Sequence, residues 1–291
     1  MGNKFFRKHI VHGLIFMLAG LFLLGSYVIF GVNTLEDSVS IGPFIALCMF
    51  GFGLYLVVHG NGLLEEEKLW VEYYDAIFVA VGLALLIRTF VIEPFKIPSG
   101  SMIPTLLVGD YLFVNKFSYG YRVPFTRHRI LMSDGPHRGD VAVFEYPMNP
   151  DKDYVKRIIG LPGDRLVYSN KRLTVNGIAV PYIDKGPYNY SNSDNRPVAA
   201  QLLIEQMDGR DHSIIVESTS MFAGRQEVIV PPDNFFVLGD NRDNSNDSRF
   251  WGFVPKYRLV GRAIALFWSW DSQQESFTQR VRWERAGSAI R

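Results

Sequence analysis

The sequence predicts N-terminal transmembrane helices followed by a mostly β domain, sheet-folded or barrel-like, with a small insertion. Two observations support this prediction. Long apolar runs fill residues 1–93 of the 291-residue chain, whereas short β-rich runs separated by turn residues occupy residues 94–291. The mean hydropathy of +0.06 therefore averages two very different parts. We predict a membrane anchor over residues 1–93 and a β-rich domain over residues 94–291.

Three apolar segments of the anchor are candidate membrane spans, residues 10–32, 41–58 and 76–92. The middle one is interrupted by glycines, and its alternative interpretation is a re-entrant or buried helix. Lys4, Arg7 and Lys8 precede the first span, and the connector over residues 33–42 contains no Lys or Arg. Because positive charge favours the cytoplasmic side, the N-terminus is predicted inside, and three spans place residue 94 onward outside the cytoplasm.

The β-rich part shows short alternating runs with turn signals between them. The runs lie at residues 110–114, 140–146, 154–159, 227–230 and 262–268. Asn176-Gly177 between two apolar runs predicts a hairpin, because both residues suit the positive dihedral angles of a type I′ turn. Residues 182–224 have weaker apolar periodicity and are predicted as a variable insertion. The charged stretch 279–291 is predicted as a surface tail or short helix.

Composition excludes several classes of function. A net charge of +1 offers no global field to attract nucleic acid. Cys48 is the single cysteine, so an intrachain disulfide and a cysteine metal site are excluded. The Asp- and Asn-rich loop 239–249 fails the calcium pattern, since Ser245 and Trp251 occupy the sixth and twelfth positions counted from Asp240. We predict no metal and no cofactor.

A serine hydroxyl needs a neighbouring base before it can act as a nucleophile. Histidine is the usual base, and the β-rich part contains three, His128, His137 and His212. The alternative is Lys156 in the run YVKRII, where burial would favour a neutral amine. Periodicity leaves this open, because the neighbouring arginine alternates with apolar residues equally well. Spacing alone also fits a lysine that extends from a strand edge into solvent.

Five segments, taken in order, resemble the bacterial type I signal peptidase family (leader peptidases of the S26 type). They are PSGSMIPTL at 98–106, RGDVAVF at 138–144, YVKRIIGLPGD at 154–164, GDNRDNSNDSRFWG at 239–252 and GRA at 261–263. The match covers nearly all of the β-rich part apart from the insertion. It departs from the best-known arrangement in having three predicted spans where that arrangement has two.

The resemblance implies a serine endopeptidase with a Ser/Lys dyad. Ser101 would be the nucleophile and Lys156 the general base. Ser99 would contribute its hydroxyl, and Ser101 its backbone N–H, to an oxyanion hole. Ser245 would hydrogen-bond the Lys156 amine, while Asp247 and Arg249 would pair and support that loop. The resemblance also implies shallow pockets for small substrate residues, lined by Phe95, Ile97, Leu112, Val143 and Val155.

The implied substrates are secretory preproteins cut after a small-x-small motif. The expected location is the cytoplasmic (inner) membrane, with a multi-pass anchor in the lipid bilayer, an extracytoplasmic catalytic domain and proximity to the secretion translocon. Two other functions remain as alternatives. One is a catalytically silent, membrane-tethered domain that binds secreted chains, and the other is a histidine-dependent serine hydrolase acting on a lipid or ester.

Overall fold

The computed structural model describes residues 13–14, 17–18, 20–21, 49–54, 73, 80, 91–120, 135–192, 196–217, 226–272, 274 and 276–290. The chain divides into two compact units, residues 1–85 and 86–291. The described residues 13–14, 17–18, 20–21, 49–54, 73 and 80 of the first unit are helical. In the described part of the chain, no helix is both long enough and apolar enough to cross a bilayer. The predicted spans lie mostly outside the described residues.

The second unit is built mainly from β-strands, which confirms the predicted mostly β domain. Its main sheet has seven strands in the order β1-β2-β14-β3-β4-β12-β13. Their bounds are β1 Ile92–Lys96, β2 Asp110–Asn115, β3 Val141–Glu145, β4 Asp153–Gly160, β12 Asn234–Leu238, β13 Val254–Pro255 and β14 Leu259–Ser269. All of the described pairings between these strands are antiparallel. The predicted runs at 110–114, 140–146, 154–159 and 262–268 therefore correspond to four strands of one sheet.

Two smaller sheets complete the unit. One has the order β11-β5-β6-β7, with β5 Arg165–Ser169, β6 Arg172–Val175, β7 Ile178–Ala179 and β11 Gln226–Ile229. The other has the order β10-β9-β8, with β8 Tyr182–Ser191, β9 Pro197–Glu205 and β10 His212–Glu217. Helices are short, namely α1 Ser248–Trp251, α2 Phe277–Arg280 and 3-10 turns at Lys256–Arg258 and Trp283–Arg285. The predicted insertion starts where β8 starts.

The hairpin predicted from Asn176-Gly177 is confirmed. Asn176 and Gly177 have φ values of 52° and 84°, and the flanking strands β6 and β7 pair across them. A type I′ turn requires positive φ at both central residues, which asparagine and glycine tolerate best. The turn type therefore follows from the local sequence, and the Asn176 side chain adds hydrogen bonds to Asp164 and Arg165.

The C-terminal stretch is more deeply integrated than a surface tail. Ile290 is buried in the main core cluster, and Ala289 forms an antiparallel bridge with Ala265 of β14. Arg285 donates hydrogen bonds to the buried Asp110 carboxylate and to the Thr105 carbonyl. Of the two predicted alternatives, the short helix is present as a 3-10 turn at Trp283–Arg285, whereas the surface tail is wrong, because Arg285 neutralises a carboxylate buried at the start of β2.

The core beneath the site is apolar and draws on β1, β2, β3 and β14. The largest group of mutually packed residues comprises Ile97, Met102, Leu106, Leu112, Val114, Val141, Val143, Ala263, Leu266 and Ile290, with Phe95 and Val155 packed against it. The five residues predicted to line substrate pockets, Phe95, Ile97, Leu112, Val143 and Val155, thus belong to one cluster. β1 and β4 are not neighbours in the sheet, and residues of the strands between them connect Phe95 and Val155 through the same cluster.

Candidate active site

Ser101 lies in the loop between β1 and β2, at the end of the sheet where the apolar cluster reaches the surface. The loop is folded on itself by hydrogen bonds from Ile103 N to Gly100 O and from Leu106 N to Met102 O, of 3.2 and 2.9 Å. Ser101 is only 8% exposed, and the apolar Met102 beside it is 1% exposed. The nucleophile candidate is therefore held by a packed loop rather than by a free surface turn.

The Lys156 amine reaches Ser101 directly. Lys156 Nζ lies 2.6 Å from Ser101 Oγ, and the lysine is 4% exposed. Lys156 sits in the middle of β4, opposite Ala142 of β3, so strand pairing fixes its backbone. Two side chains that are 55 residues apart in sequence thus meet at hydrogen-bond distance in a buried place, which is the geometry required of a nucleophile and its base.

The pKa of Lys156 is lowered from 10.5 to about 8. Burial is the main cause, because desolvation penalises the ammonium form. The charges of Asp247 and Asp240 oppose this shift, and the Arg249 charge adds to it. Among the described residues Lys156 forms no ion pair, and at this pKa about a tenth of the amine is neutral at about pH 7 and can accept a proton.

The neighbouring Arg157 takes the carboxylate that would otherwise hold the lysine charged. Arg157 donates from Nε and Nη2 to the two oxygens of Asp240, at 2.8 and 2.7 Å, and both residues are fully buried. Burial raises the pKa of Asp240, but the charge and hydrogen bonds of Arg157 outweigh it and keep that pKa below its usual value. Adjacent residues of β4 therefore have different partners: Arg157 pairs with Asp240, and Lys156 contacts Ser101.

The loop from 239 to 249 packs directly against the Ser101 loop. Asn241 N donates to Ser101 O at 3.1 Å, and Asn241 Nδ2 donates to Gly100 O at 3.2 Å. The predicted pair of Asp247 and Arg249 is present as a two-pronged contact, with both nitrogen-to-oxygen distances at 2.8 Å. Asp247 also caps α1 and accepts from Gly239 N at 3.0 Å. These contacts leave the loop little freedom to move.

Ser99 and Ser245, two of the predicted supporting residues, differ in exposure and in hydrogen bonding. Ser99 is exposed, and its hydroxyl lies 3.4 Å from Ser101 Oγ, on the open side of the nucleophile. Ser245 is buried, and within the described part of the chain its hydroxyl has no hydrogen-bond partner. The predicted bond from Ser245 to the Lys156 amine is therefore not made in this structure. The Ser245 side chain instead packs against Gly239, beside the Ser101 carbonyl.

The described histidines are engaged elsewhere. His137 contacts Asp140 at 3.8 Å, and His212 Nε2 lies 2.9 Å from Glu205 Oε2. His128 lies outside the described residues. Among the described residues, the hydrogen-bond partners of the Ser101 hydroxyl are Lys156 and Ser99, which favours the lysine as its base.

The lowered pKa of Lys156 predicts the pH dependence of the reaction. A lysine that acts as a general base must be neutral, so we expect activity to rise with pH as the Lys156 ammonium loses its proton. With a pKa of about 8, about a tenth of the amines are neutral at about pH 7 and about nine-tenths at about pH 9. We expect kcat/KM for a peptide substrate to increase about tenfold over that interval, with the acid limb centred near 8. A midpoint near about 6.5 would instead indicate a histidine base.

Comparisons of the sequence and fold with known proteins give a family for the chain. The family described as "Signal peptidase, peptidase S26" matches residues 70–268. Signal peptidase I of Pseudomonas fluorescens is 42% identical over 227 residues, covering 73% of this chain and 78% of the relative. Signal peptidase I of Buchnera aphidicola subsp. Acyrthosiphon pisum is 38% identical over 289 residues, covering 83% and 92%. A crystal structure of a signal peptidase I from Enterococcus faecalis aligns at 29% identity and a TM-score of 0.28, covering 44% of this chain and 97% of its own. This chain therefore belongs to the peptidase S26 family of signal peptidases.

Proposed function

We propose that this chain removes N-terminal signal peptides from exported preproteins, with Ser101 as nucleophile and Lys156 as general base. One observation carries the assignment of residues. A buried lysine amine with a lowered pKa lies 2.6 Å from a serine hydroxyl, at the edge of an apolar cluster. The family and its relatives support the reaction class, a serine peptidase acting on signal peptides.

In the proposed mechanism, the neutral Lys156 amine takes the hydroxyl proton as Ser101 Oγ attacks the scissile carbonyl carbon. The Ser99 hydroxyl and the Ser101 backbone N–H stabilise the oxyanion that forms. Lys156 then returns its proton to the leaving amine, and water later releases the acyl group from Ser101 by the same proton route. The Asp247–Arg249 pair fixes the adjoining loop, and the unpaired hydroxyl of Ser245 is available to the amine.

We propose that small side chains of the substrate enter shallow depressions over the apolar cluster. Ile97, Leu112 and Val143 are buried there, while Phe95 and Val155 remain partly exposed and can touch a substrate. The main core is already filled, so a depression above it accepts a small residue and rejects a large one. This arrangement supports cleavage after a small-x-small sequence.

We also propose that the anchor over residues 1–93 crosses the cytoplasmic membrane three times and places the catalytic domain outside the cytoplasm, close to the translocon that delivers its substrates. An aromatic patch on the sheet supports contact with the bilayer. Phe113 stacks on Phe267 at 4.4 Å between ring centroids, and Trp268 meets the 66% exposed Trp283 at 5.5 Å. Aromatic rings of this kind favour the membrane interface. In the register of the sheet Phe113 pairs with Pro94, at the start of the domain.

The function is tested with the full chain in detergent micelles and a preprotein that contains one Ala-x-Ala site. We expect cleavage after the second alanine, identified by the mass and new N-terminus of the product, and no cleavage by a Ser101→Ala variant. Replacing that alanine of the substrate with Leu should abolish cleavage, because the shallow pocket cannot accept it. Binding of the preprotein without any turnover would instead support a silent binding domain.

A further inference from the structure

The predicted insertion packs against the active-site loops. Strand β10 forms a parallel bridge between Ile215 and Asn241, with Ile215 N donating to Asp240 O at 2.9 Å and Arg242 N donating to Ile215 O at 3.0 Å. Asn241 is the residue whose N–H binds the Ser101 carbonyl. Strand β10 of the insertion thus bonds the 239–249 loop on both sides of Asn241, and Asn241 bonds the nucleophile loop.

An apolar contact joins the insertion to the nucleophile loop itself. Ile103 of that loop packs with Ala200 and Ile215 of the insertion in one buried cluster, together with the partly buried Leu107, Tyr188, Tyr190 and Leu202. Ile103 is 5% exposed and Ile215 is fully buried. The insertion therefore contacts both loops that form the site, one through apolar packing and the other through the backbone.

A buried carboxylate completes this arrangement. Glu205 at the end of β9 accepts from Arg242 Nη1 at 2.9 Å and from Arg242 Nη2 at 2.6 Å, and both residues are almost completely buried. Tyr182 OH donates to the same carboxylate at 2.7 Å, and His212 Nε2 lies 2.9 Å from it. Burial raises the pKa of Glu205, but the Arg242 charge outweighs it and keeps that pKa well below its usual value. The pair stays charged and bidentate, which is a geometrically specific contact.

The position of Arg242 transmits this contact toward the dyad. The Arg242 carbonyl accepts from Arg249 Nη2 at 2.6 Å, and Arg249 pairs with Asp247. Asp247 in turn accepts from Gly239 N, and Gly239 lies against the Ser101 carbonyl. The three hydrogen-bonded links each involve a buried charged group, which makes them stronger and more directional than neutral hydrogen bonds, and the last link is a close packing contact. Moving Arg242 would therefore shift the loop on which Ser101 rests.

We propose that Glu205 is a positioning residue for the Ser101–Lys156 dyad, acting through Arg242, and that the three-stranded insertion serves to hold the two active-site loops in register. This rests on the proposed function. The pocket cluster of β1 to β4 contains no member of the insertion. Met102 and Leu106 of the nucleophile loop belong to that cluster, but Glu205 and Arg242 do not. We therefore expect a change at Glu205 to affect catalysis more than binding.

The test is Glu205→Gln in the full chain, assayed with an Ala-x-Ala peptide in detergent. We expect kcat to fall about 10- to 100-fold, since a misplacement of about 1 Å can cost that much, and KM to stay within about twofold. Glu205→Asp keeps the charge and should recover part of kcat. Leu166→Ala is the control for lost packing, because Leu166 is buried in a core cluster that contains neither the dyad nor the Glu205–Arg242 pair. It should lower the melting temperature and leave kcat unchanged well below that temperature.

Glu205→Gln leaves the Arg242 cation buried without its partner and can unfold the domain. A second variant therefore separates loss of positioning from loss of folding. Combining it with Arg242→Met removes both charges, a change that often preserves or raises stability. We expect this double variant to fold, by circular dichroism and melting temperature, with kcat still at least about tenfold below wild type. A folded double variant with wild-type kcat would overturn the proposal. Failure of the wild type to cleave the peptide would contradict the proposed function instead.

Discussion

Lys156→Met should abolish peptide cleavage while leaving the domain folded. The amine that lies 2.6 Å from Ser101 Oγ is removed, and in the described part of the chain no other basic side chain is hydrogen-bonded to that hydroxyl. Loss of a general base costs about 10²–10⁴-fold in rate, and members of a dyad act as a unit, so we expect a loss of kcat at the upper end of that range. The measurement is single-turnover cleavage of an Ala-x-Ala peptide by the full chain in detergent.

The stability of Lys156→Met should not fall with its activity. Burial lowers the pKa of Lys156 to about 8, below its value of 10.5 in the unfolded chain. Below pH 8 the folded state must keep a buried ammonium that the unfolded chain solvates freely, so this lysine weakens folding there, and the penalty declines as pH rises from about 8 to 10.5. Methionine removes that penalty and fills the same volume. We therefore expect a melting temperature at neutral pH no lower than that of the wild type.

Lys152→Met is the matched control for this experiment, because Lys152 is exposed just before the same strand. It should change neither kcat nor the melting temperature. If Lys156→Met retained more than about a tenth of the wild-type kcat while remaining folded, the general base would have to be another group. The pH profile, with its midpoint near 8 or near about 6.5, would then distinguish an amine from a histidine.

The sequence predicted the strands of the main sheet well because their signals are local. Alternating apolar residues bounded by turns located β2, β3, β4 and β14 to within a few residues. The same periodicity could not decide between Lys156 and Arg157. Both faces of the second half of β4 are buried, so alternation carries no information about which side chain faces Ser101. The choice depends on Asp240, which lies 83 residues away and takes the arginine.

Contacts between distant segments account for the remaining differences. The insertion was predicted from its weak periodicity, but its bridge from Ile215 to Asn241 and its Glu205–Arg242 pair depend on the three-dimensional arrangement. The C-terminal stretch was predicted from its charges as a surface tail or short helix. Arg285 is in fact committed to the buried Asp110, and a count of charges cannot show such a partner. The Ser245 bond came from family resemblance alone, and side-chain orientation is beyond what a motif determines.

Gly239→Ala should inactivate the enzyme although neither Gly239 nor its substitute takes part in the chemistry. A Cβ atom at this position would lie 2.3 Å from Ser245 Oγ and 2.4 Å from the Ser101 carbonyl oxygen. The second contact is with backbone, so a rotamer change cannot relieve it. The 239–249 loop must move away from Ser101, which breaks the bond from Asn241 N and displaces the nucleophile. Since a misplacement of about 1 Å can cost about 10²-fold, we expect kcat to fall at least that far.

Gly160→Ala supplies the matched control. Its added methyl group would also crowd its neighbours, at 2.6 Å from Leu166 Cδ1 and 2.9 Å from Val230 Cγ2, but these belong to a core cluster without Ser101 or Lys156. Overpacking costs about 1–3 kcal/mol of unfolding free energy in either case. We expect both variants to melt earlier and Gly239→Ala alone to lose kcat at a temperature where both are folded.

Adding Ser245→Gly to Gly239→Ala distinguishes the two clashes. The second substitution removes the hydroxyl at 2.3 Å and leaves the carbonyl at 2.4 Å. If the Ser101 backbone is what must be kept in place, the double variant has a kcat well below that of Ser245→Gly alone, even where part of the melting temperature returns. Recovery of wild-type kcat would show instead that Gly239 is required only to accommodate Ser245, and that the nucleophile loop tolerates displacement of the 239–249 loop.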